Sequence, residues 1–427
     1  MRATRNTIVV AACLWASAAA ADDQVPAPEP APSAADASRP VVRVYGAFKP
    51  TISAASGATE SFSNPNLVAI TAAGNPVYAV EPDHARSSFQ AQQSRLGAWF
   101  GEGTPYRGQL EFDFVDATRA SPTVASIPRL RIAKLEWAAS EDVTLVAGQD
   151  WGLEQPINPH GINLVGGGFL AGNTAFMRQQ VKVLAKVGDL EVGAAVGVQS
   201  NNNTAKDGLV ELSVTPTVAG RVQWNPGGKS RVGVSVIGTS LLVRSGDMPL
   251  RTIAGEAGVY GDVDLTPAWN LRFEGYVAQN AANLFLLALG QARAGAAVDD
   301  PAVDLREVGG FVSTRVAVRG PWSVFANAGG AAVLNDEDVV PSYGYAGTID
   351  PANPPPMTAA ALAGTGPGIR LNLHARLGVE VKVRAGLSFL AEAFGYRTRH
   401  ALLEVDEART SATASTVGAE LGGLWTF

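Results

Sequence analysis

The sequence predicts an all-β chain folded as a transmembrane antiparallel up-and-down β-barrel of about sixteen strands, with short periplasmic turns and long external loops. Three observations predict it: an N-terminus built for export, repeated segments of about ten residues in which apolar and polar positions alternate, and connections that are short and long by turns.

At the N-terminus, Arg2 and Arg5 form a basic start, Ile8 to Ala16 an apolar stretch, and Ala19 and Ala21 a small-residue cleavage site, so residues 1–21 read as a signal peptide. A lipoprotein reading would make Cys13 an acylated start but leaves only Ile8 to Val10 as apolar stretch before it. Cys13 is the sole cysteine, so disulfides and thiolate chemistry are excluded from the mature chain. Residues 22–40 carry Pro26, Pro28, Pro30, Pro32 and Pro40 among alanines and acids, a composition that suits an extended periplasmic linker. The formal charge of −6, and −8 once Arg2 and Arg5 are lost, argues against a nucleic-acid partner. The longest later apolar run of note, Leu284 to Leu289, is far too short for a membrane helix, so a membrane crossing must use strands.

The barrel is expected over residues 41–427, with strands near 41–48, 88–100, 106–115, 129–138, 143–151, 175–187, 190–199, 213–224, 231–243, 251–263, 269–279, 306–319, 322–334, 369–384, 387–398 and 412–427. Residues 369–384 show the alternation best: Leu371, Leu373, Leu377, Val379, Val381 and Val383 share one face, and Arg370, Asn372, His374, Arg376, Glu380 and Lys382 the other. A soluble sandwich alternates in the same way, so the loop rhythm decides. Short connections such as Gly188-Asp189, Gly320-Pro321 and Ala385-Gly386 alternate with long ones, among them 49–87, 152–174, 280–305 and 335–368. Every second connection of an up-and-down barrel lies on the same rim, which produces this rhythm.

Trp99, Trp137, Trp224, Trp269, Trp322 and Trp425 stand near short turns or the C-terminus, as an interfacial aromatic girdle requires. Trp99 and Trp137 break the parity of the apolar faces, which calls for a bulge or a displaced strand boundary. The chain ends Leu424-Trp425-Thr426-Phe427, similar to the terminal signal that barrel-assembly machinery recognises.

If the apolar faces meet lipid, the charged faces line the interior, because Arg or Lys facing lipid at mid-depth costs roughly 2–4 kcal/mol. That places Arg95, Glu111, Asp113, Arg178, Lys182, Arg221, Arg370 and Arg376 in the lumen; Arg131 joins them although Arg131 and Lys134 fall on opposite parities. The connection 152–174 carries Glu154, Asn158 and His160 and then Gly166-Gly167-Gly168, a composition suited to an irregular path folded inward as a constriction. Its competing reading is a surface cap.

His84, His160, His374 and His400 lack metal-ligand spacing, and no nucleophile elbow, phosphate-binding glycine loop or His-Glu-x-x-His is present. No cofactor or metal is expected, and no enzyme. The acidic runs Asp336-Glu337-Asp338 and Glu404 to Glu407 suit solvated external loops or divalent-ion bridging of lipopolysaccharide.

Between Ser88 and Val183, the pieces Phe89-Gln90-Ala91-Gln92-Gln93-Ser94-Arg95-Leu96-Gly97, Gly108-Gln109-Leu110-Glu111-Phe112-Asp113-Phe114, Arg129-Leu130-Arg131-Ile132-Ala133, Val146-Ala147-Gly148-Gln149-Asp150-Trp151 and Arg178-Gln179-Gln180-Val181 occur in order. In that order they resemble the core of DcaP-like outer-membrane porins, over about a quarter of the chain. The resemblance implies a homotrimeric sixteen-strand porin whose arginine-lined channel favours small anions such as dicarboxylates, carried here by Arg95, Arg131 and Arg178. Residues 22–40 depart from the helical periplasmic segment common in such relatives. The expected activity is passive diffusion of small hydrophilic solutes across the outer membrane. The rival reading is a plugged structural or adhesive barrel, with 49–87 and 335–368 as its binding surface.

Overall fold

The computed structural model describes residues 41–57, 59, 85–115, 128–154, 156–164, 166–174, 176–198, 215–227, 229–245, 248–284, 286–290, 303–339, 342–343, 368–403 and 409–427. The signal peptide, the linker, the acidic run Glu404 to Glu407 and much of the 49–87 and 335–368 connections lie outside these residues.

The strands are β1 (Val41–Phe48), β2 (Thr51–Ala55), β3 (Arg86–Gln90), β4 (Arg95–Glu102), β5 (Tyr106–Asp113), β6 (Arg129–Ala138), β7 (Val143–Trp151), β8 (Met177–Val187), β9 (Leu190–Gly197) and β10 (Thr217–Trp224). They continue with β11 (Arg231–Ser245), β12 (Met248–Thr266), β13 (Trp269–Gln279), β14 (Arg306–Arg319), β15 (Trp322–Val333), β16 (Ser342–Tyr343), β17 (Ile369–Arg384), β18 (Leu387–Leu403) and β19 (Arg409–Thr426). All nineteen belong to one sheet. β1 and β2 are two halves of one wall strand, broken at Lys49-Pro50, where proline removes a ladder donor. β3 and β4 are likewise halves of a second strand, and β16 lies beside β18 in parallel, which leaves sixteen wall strands. The ring closes where β19 meets β1 at Ala47↔Thr426 and Phe48↔Trp425, and then β2 from Thr51↔Gly422 to Ala55↔Gly418. Every wall pairing is antiparallel.

The expected strand 88–100 is interrupted between Gln90 and Arg95. Gln93 and Ser94 turn their side chains to Lys49, Oε1 accepting from Nζ at 2.5 Å and Oγ from the backbone N–H at 3.0 Å, so the two breaks face and satisfy each other. The alternation of short and long connections also has exceptions. Only two residues separate β11 from β12 and five separate β18 from β19, both on the long-loop rim, because these ladders run past the expected ends.

Outward positions are apolar: Val181 and Val183 on β8, Leu377 and Val383 on β17, and Leu421 on β19 are exposed, while Gln180, Lys182, Asn372, His374 and Arg376 point inward and are buried. Trp137, Trp224, Trp269, Trp322 and Trp425 lie on the outward face, joined by Phe48 and Phe427 at the seam, whose rings stack at 5.5 Å between centroids. The two parity conflicts have different solutions. At β6 a bulge sets Glu111 opposite Ile132 and Phe112 opposite Leu130, so Arg131 is the extra residue; Arg131, Lys134 and Glu136 then all face inward and Trp137 outward. Trp99 leaves the girdle. Its register to β5 is regular, the irregularity against β1 falls beyond it at Val41/Val42, and its indole faces inward under Arg107 and Lys134, at 5.4 and 5.5 Å.

The interior is not uniformly polar. Leu289, Leu305, Ala331, Val333, Val339, Ile369 and Ala401 form one buried apolar cluster, and Ile237, Ala254, Ala281, Leu284, Leu286 and Ala288 another. The described helices are two short 3-10 turns, Ala281–Leu284 and Asp336–Asp338, and none could cross a membrane.

Candidate functional site: the inner wall and the inward loops

Three adjacent strands bring the first group of expected residues together. Arg95 on β4 is the cross-strand partner of Asp113 on β5, and Arg129 of Asp113 in turn. Arg131 donates from Nε to Glu111 at 2.7 Å and from NH1 to Asp113 at 2.9 Å; Arg129 grips Asp113 through Nε and NH2 at 2.9 and 2.6 Å. Glu111 also accepts from the Tyr45 hydroxyl at 3.0 Å. Both carboxylates and Arg131 are buried, an environment in which charges persist only when paired. Among the described residues Arg95 makes no carboxylate pair, and its NH2 donates to the Leu164 carbonyl. Three guanidinium groups thus stand against two carboxylates, a local excess of positive charge.

A second group lies on β6 to β8. Lys182 donates to Asp150 Oδ2 at 2.5 Å and to the Trp151 carbonyl at 3.1 Å; Lys134 reaches the same Asp150 oxygen at 3.2 Å and Glu136 at 2.9 Å. Arg178 donates to Glu154 Oε1 at 3.0 Å, and its buried Nε and NH1 find no hydrogen-bond partner among the described residues. The remaining expected cations stand apart: Arg221 pairs with Glu191 at 2.5 Å, Arg376 with Glu392 at 2.6 Å and with the Tyr396 hydroxyl, and Arg370 with Asp336 at 3.7 Å.

The described residues of the 152–174 connection run through the interior, and the wall holds them by their backbone. N–H groups are accepted by Glu274 (from Ile157, 3.1 Å), Ser313 (from His160, 2.8 Å), Glu392 (from Ile162, 3.1 Å) and Gln93 (from Leu164, 2.9 Å). Carbonyls accept from Arg272 (at Asn158, 3.1 Å), Asn327 (at His160, 2.6 Å) and Asn372 (at Leu170, 3.0 Å), and His374 Nδ1 lies 3.0 Å from the Ala171 carbonyl. These partners come from β13, β14, β15, β17 and β18 and from the break before β4, so the segment crosses from one side of the ring to the other. Glu154 is its link to β8, the Asn158 side chain is tied to Asn173 at 3.0 Å, and His160 Nε2 lies 2.7 Å from Asn270 Oδ1. Burial, with Arg272 and Arg315 nearby, lowers His160 to about 4. Gly172 adopts φ +108°, and a Cβ there would stand 2.1 Å from the Gly310 carbonyl oxygen, so the loop backbone lies directly on β14.

Sequence reading missed the acids that accept the loop amides. Glu274 and Glu392, which take the N–H groups of Ile157 and Ile162, are buried at inward positions of their strands, a signal open to inspection had the acids been followed as the arginines were.

No family model matches the chain, and no curated protein matches it. Solved structures do. The chain is similar to the outer membrane channel DcaP of Acinetobacter baumannii at 12% identity, covering 91% of this chain and 98% of that one with a TM-score of 0.67. It is similar to an anion-selective porin from Comamonas acidovorans at 11% identity, 91% and 100% coverage and a TM-score of 0.57. The trimer form of OmpT, an outer membrane protein of Vibrio cholerae, matches at 12% identity, 91% and 100% coverage and a TM-score of 0.54. At these identities the likeness is one of fold: the sixteen-strand barrel of this chain has the fold of these outer-membrane channels, as the resemblance between Ser88 and Val183 implied.

Proposed function

We propose that this protein is an outer-membrane porin for passive diffusion of small hydrophilic solutes, with a preference for anions such as dicarboxylates. The observation that carries the preference is the excess of positive charge on β4 to β6, where Arg95, Arg129 and Arg131 face Glu111 and Asp113 beside the inward loop. A fixed cation at a narrowing raises the local concentration of anions and lowers that of cations. The anion-selective neighbour from Comamonas acidovorans supports the direction. In this reading residues 152–174 form the constriction, Glu154 anchors it through Arg178, and Asn158 and His160 fix its path. Lys182, Arg221, Arg370 and Arg376 are wall cations whose charge is balanced by carboxylate partners.

The same reading has residues 1–21 removed on export, residues 22–40 spanning periplasm, Phe427 recognised by the assembly machinery, and three copies associating through barrel walls, as the trimer form of the Vibrio cholerae protein suggests. At the external rim, Asp336-Glu337-Asp338 is either solvated or bridges lipopolysaccharide through divalent ions, with Asp336 near Arg370 and Arg399. The test is the reversal potential in a salt gradient, for the natural chain and for Arg95→Gln/Arg131→Gln/Arg178→Gln. The natural channel passes anions preferentially and the triple variant does not; equal potentials refute the assignment of these residues.

A second reading, a barrel too occluded to conduct, draws on the buried apolar clusters around Leu284, Leu286 and Leu289. Planar-bilayer conductance separates it from the first.

A further inference from the structure

The described residues of the apolar run Leu284 to Leu289, a run too short to cross a membrane, have an interior address. Ala281–Leu284 forms a 3-10 turn with all four residues buried, and Leu286, Ala288 and Leu289 are at most 2% exposed. The segment begins at Asn280, fully buried at φ +53°, a conformation that costs a non-glycine residue of order 1–3 kcal/mol unless its surroundings enforce it. They do: the Asn280 side chain donates to Asp304 Oδ1 at 2.8 Å and to the Ile253 carbonyl at 2.9 Å, and accepts from Leu305 N–H at 2.9 Å. Its end is held by one wall carboxylate. Glu307 Oε2 accepts the N–H groups of Leu289 and Gly290, both at 2.7 Å, while Oε1 accepts the Tyr276 hydroxyl at 2.5 Å.

Between these anchors the segment touches the 152–174 loop by two backbone bonds. Leu287 N–H donates to the Thr174 carbonyl at 3.1 Å, and its own carbonyl accepts from Leu170 N–H at 2.9 Å. Leu287 also packs against Phe169 and Val115. Leu170 has φ +61°, so the one described non-glycine residue besides Asn280 with a left-handed backbone sits at the junction of the two segments. Strain held on both sides of one contact marks a position that the fold enforces.

We propose that Ala281–Leu284 with Leu286–Gly290 is a second constriction element, which clamps the 152–174 loop against the wall, and that Glu307 is its positioning residue. The effective aperture is then set by two segments locked to each other, and a solute meets a narrowing whose width depends on Glu307 although Glu307 never contacts it. This rests on the porin reading.

The experiment combines hydrogen exchange with single-channel recording on the full mature chain, with Glu307→Leu, Glu307→Gln and Asn280→Gly, which keeps the backbone freedom but removes the three side-chain bonds. Glu307→Leu raises exchange at 287–290 and at 168–174 together, by about tenfold or more for the two lost charge-assisted bonds, while β13 to β15 stay protected. The open channel becomes noisier and its mean conductance rises; Glu307→Gln, whose amide oxygen in the Oε2 position still accepts both N–H groups, recovers most of both. Asn280→Gly gives the same paired change if the leucine variant does not assemble. Faster exchange confined to 287–290, or conductance and noise unchanged in both variants, overturns the clamp. A natural chain that does not conduct instead refutes the porin reading, and the exchange data then still decide whether the two segments are coupled.

Discussion

Acidification perturbs the inward loop at one identified point. His160 donates its backbone N–H to Ser313, lends its carbonyl to Asn327, and faces Asn270 across Nε2. The charged groups around the ring are Arg272 and Arg315, which oppose protonation, and Asp262, which favours it more weakly. With burial, they bring His160 from 6.5 to about 4. A histidine whose docked value lies below its free value binds fewer protons when docked, so docking is at full strength above pH 6.5 and weakens as pH falls from there to about 4. At about pH 5 the loss is roughly 2 kcal/mol, from 1.36 kcal/mol for each of the roughly 1.5 units crossed, or about thirtyfold in the undocked fraction. Eight wall bonds to the loop backbone, at roughly 0.5–1.5 kcal/mol each, keep the loop mostly docked even so. The expected record is a steady channel at pH 7 with fluctuations rising by more than an order of magnitude at pH 5, and a loss of that pH dependence in His160→Asn. Fluctuations equal at the two pH values, or an undiminished response in His160→Asn, would refute the reasoning.

Other perturbations follow from the same geometry. Arg131→Met leaves Glu111 and Asp113 short of a partner in a buried site and costs about 3–5 kcal/mol, read as a lower temperature for loss of the compact band on unheated gels. Gly172→Val collides with the Gly310 carbonyl and is strained at φ +108°, so it lifts the loop and changes conductance while the compact band survives. Arg95→Gln reduces three local cations to two; a unit charge about 4 Å from a permeant ion in water is worth ~1 kcal/mol, so anion permeability falls about fivefold in reversal-potential measurements. Deleting Asn158 to Gly168 raises single-channel conductance, and an unchanged value would remove the constriction role from this loop.

Strand alternation and turn composition made the sixteen-strand ring legible, because side-chain parity and Gly, Pro and Asp turns are local properties. Where the local rule failed, the cause was a residue whose position depends on its neighbour strand. Arg131 and Lys134 seemed to disagree because a bulge is a property of the β5–β6 pair and not of β6. Trp99 passed for a girdle residue by its nearness to a turn, yet its ring serves Arg107 and Lys134 inside. The acid partners of the arginines were individually visible, but which acid meets which base depends on register; Glu392 finds Arg376 sixteen residues away and also the loop amide of Ile162. The segment from Ala281 to Gly290 shows no strand or helix period, and only its contact with Thr174 and Leu170 gives it meaning.

The most direct measurement is the conductance of the purified mature chain in a planar bilayer. The account predicts discrete current steps that scale with salt concentration, carried by the polar side of the interior. A protein that inserts as a compact barrel and passes no current would contradict it.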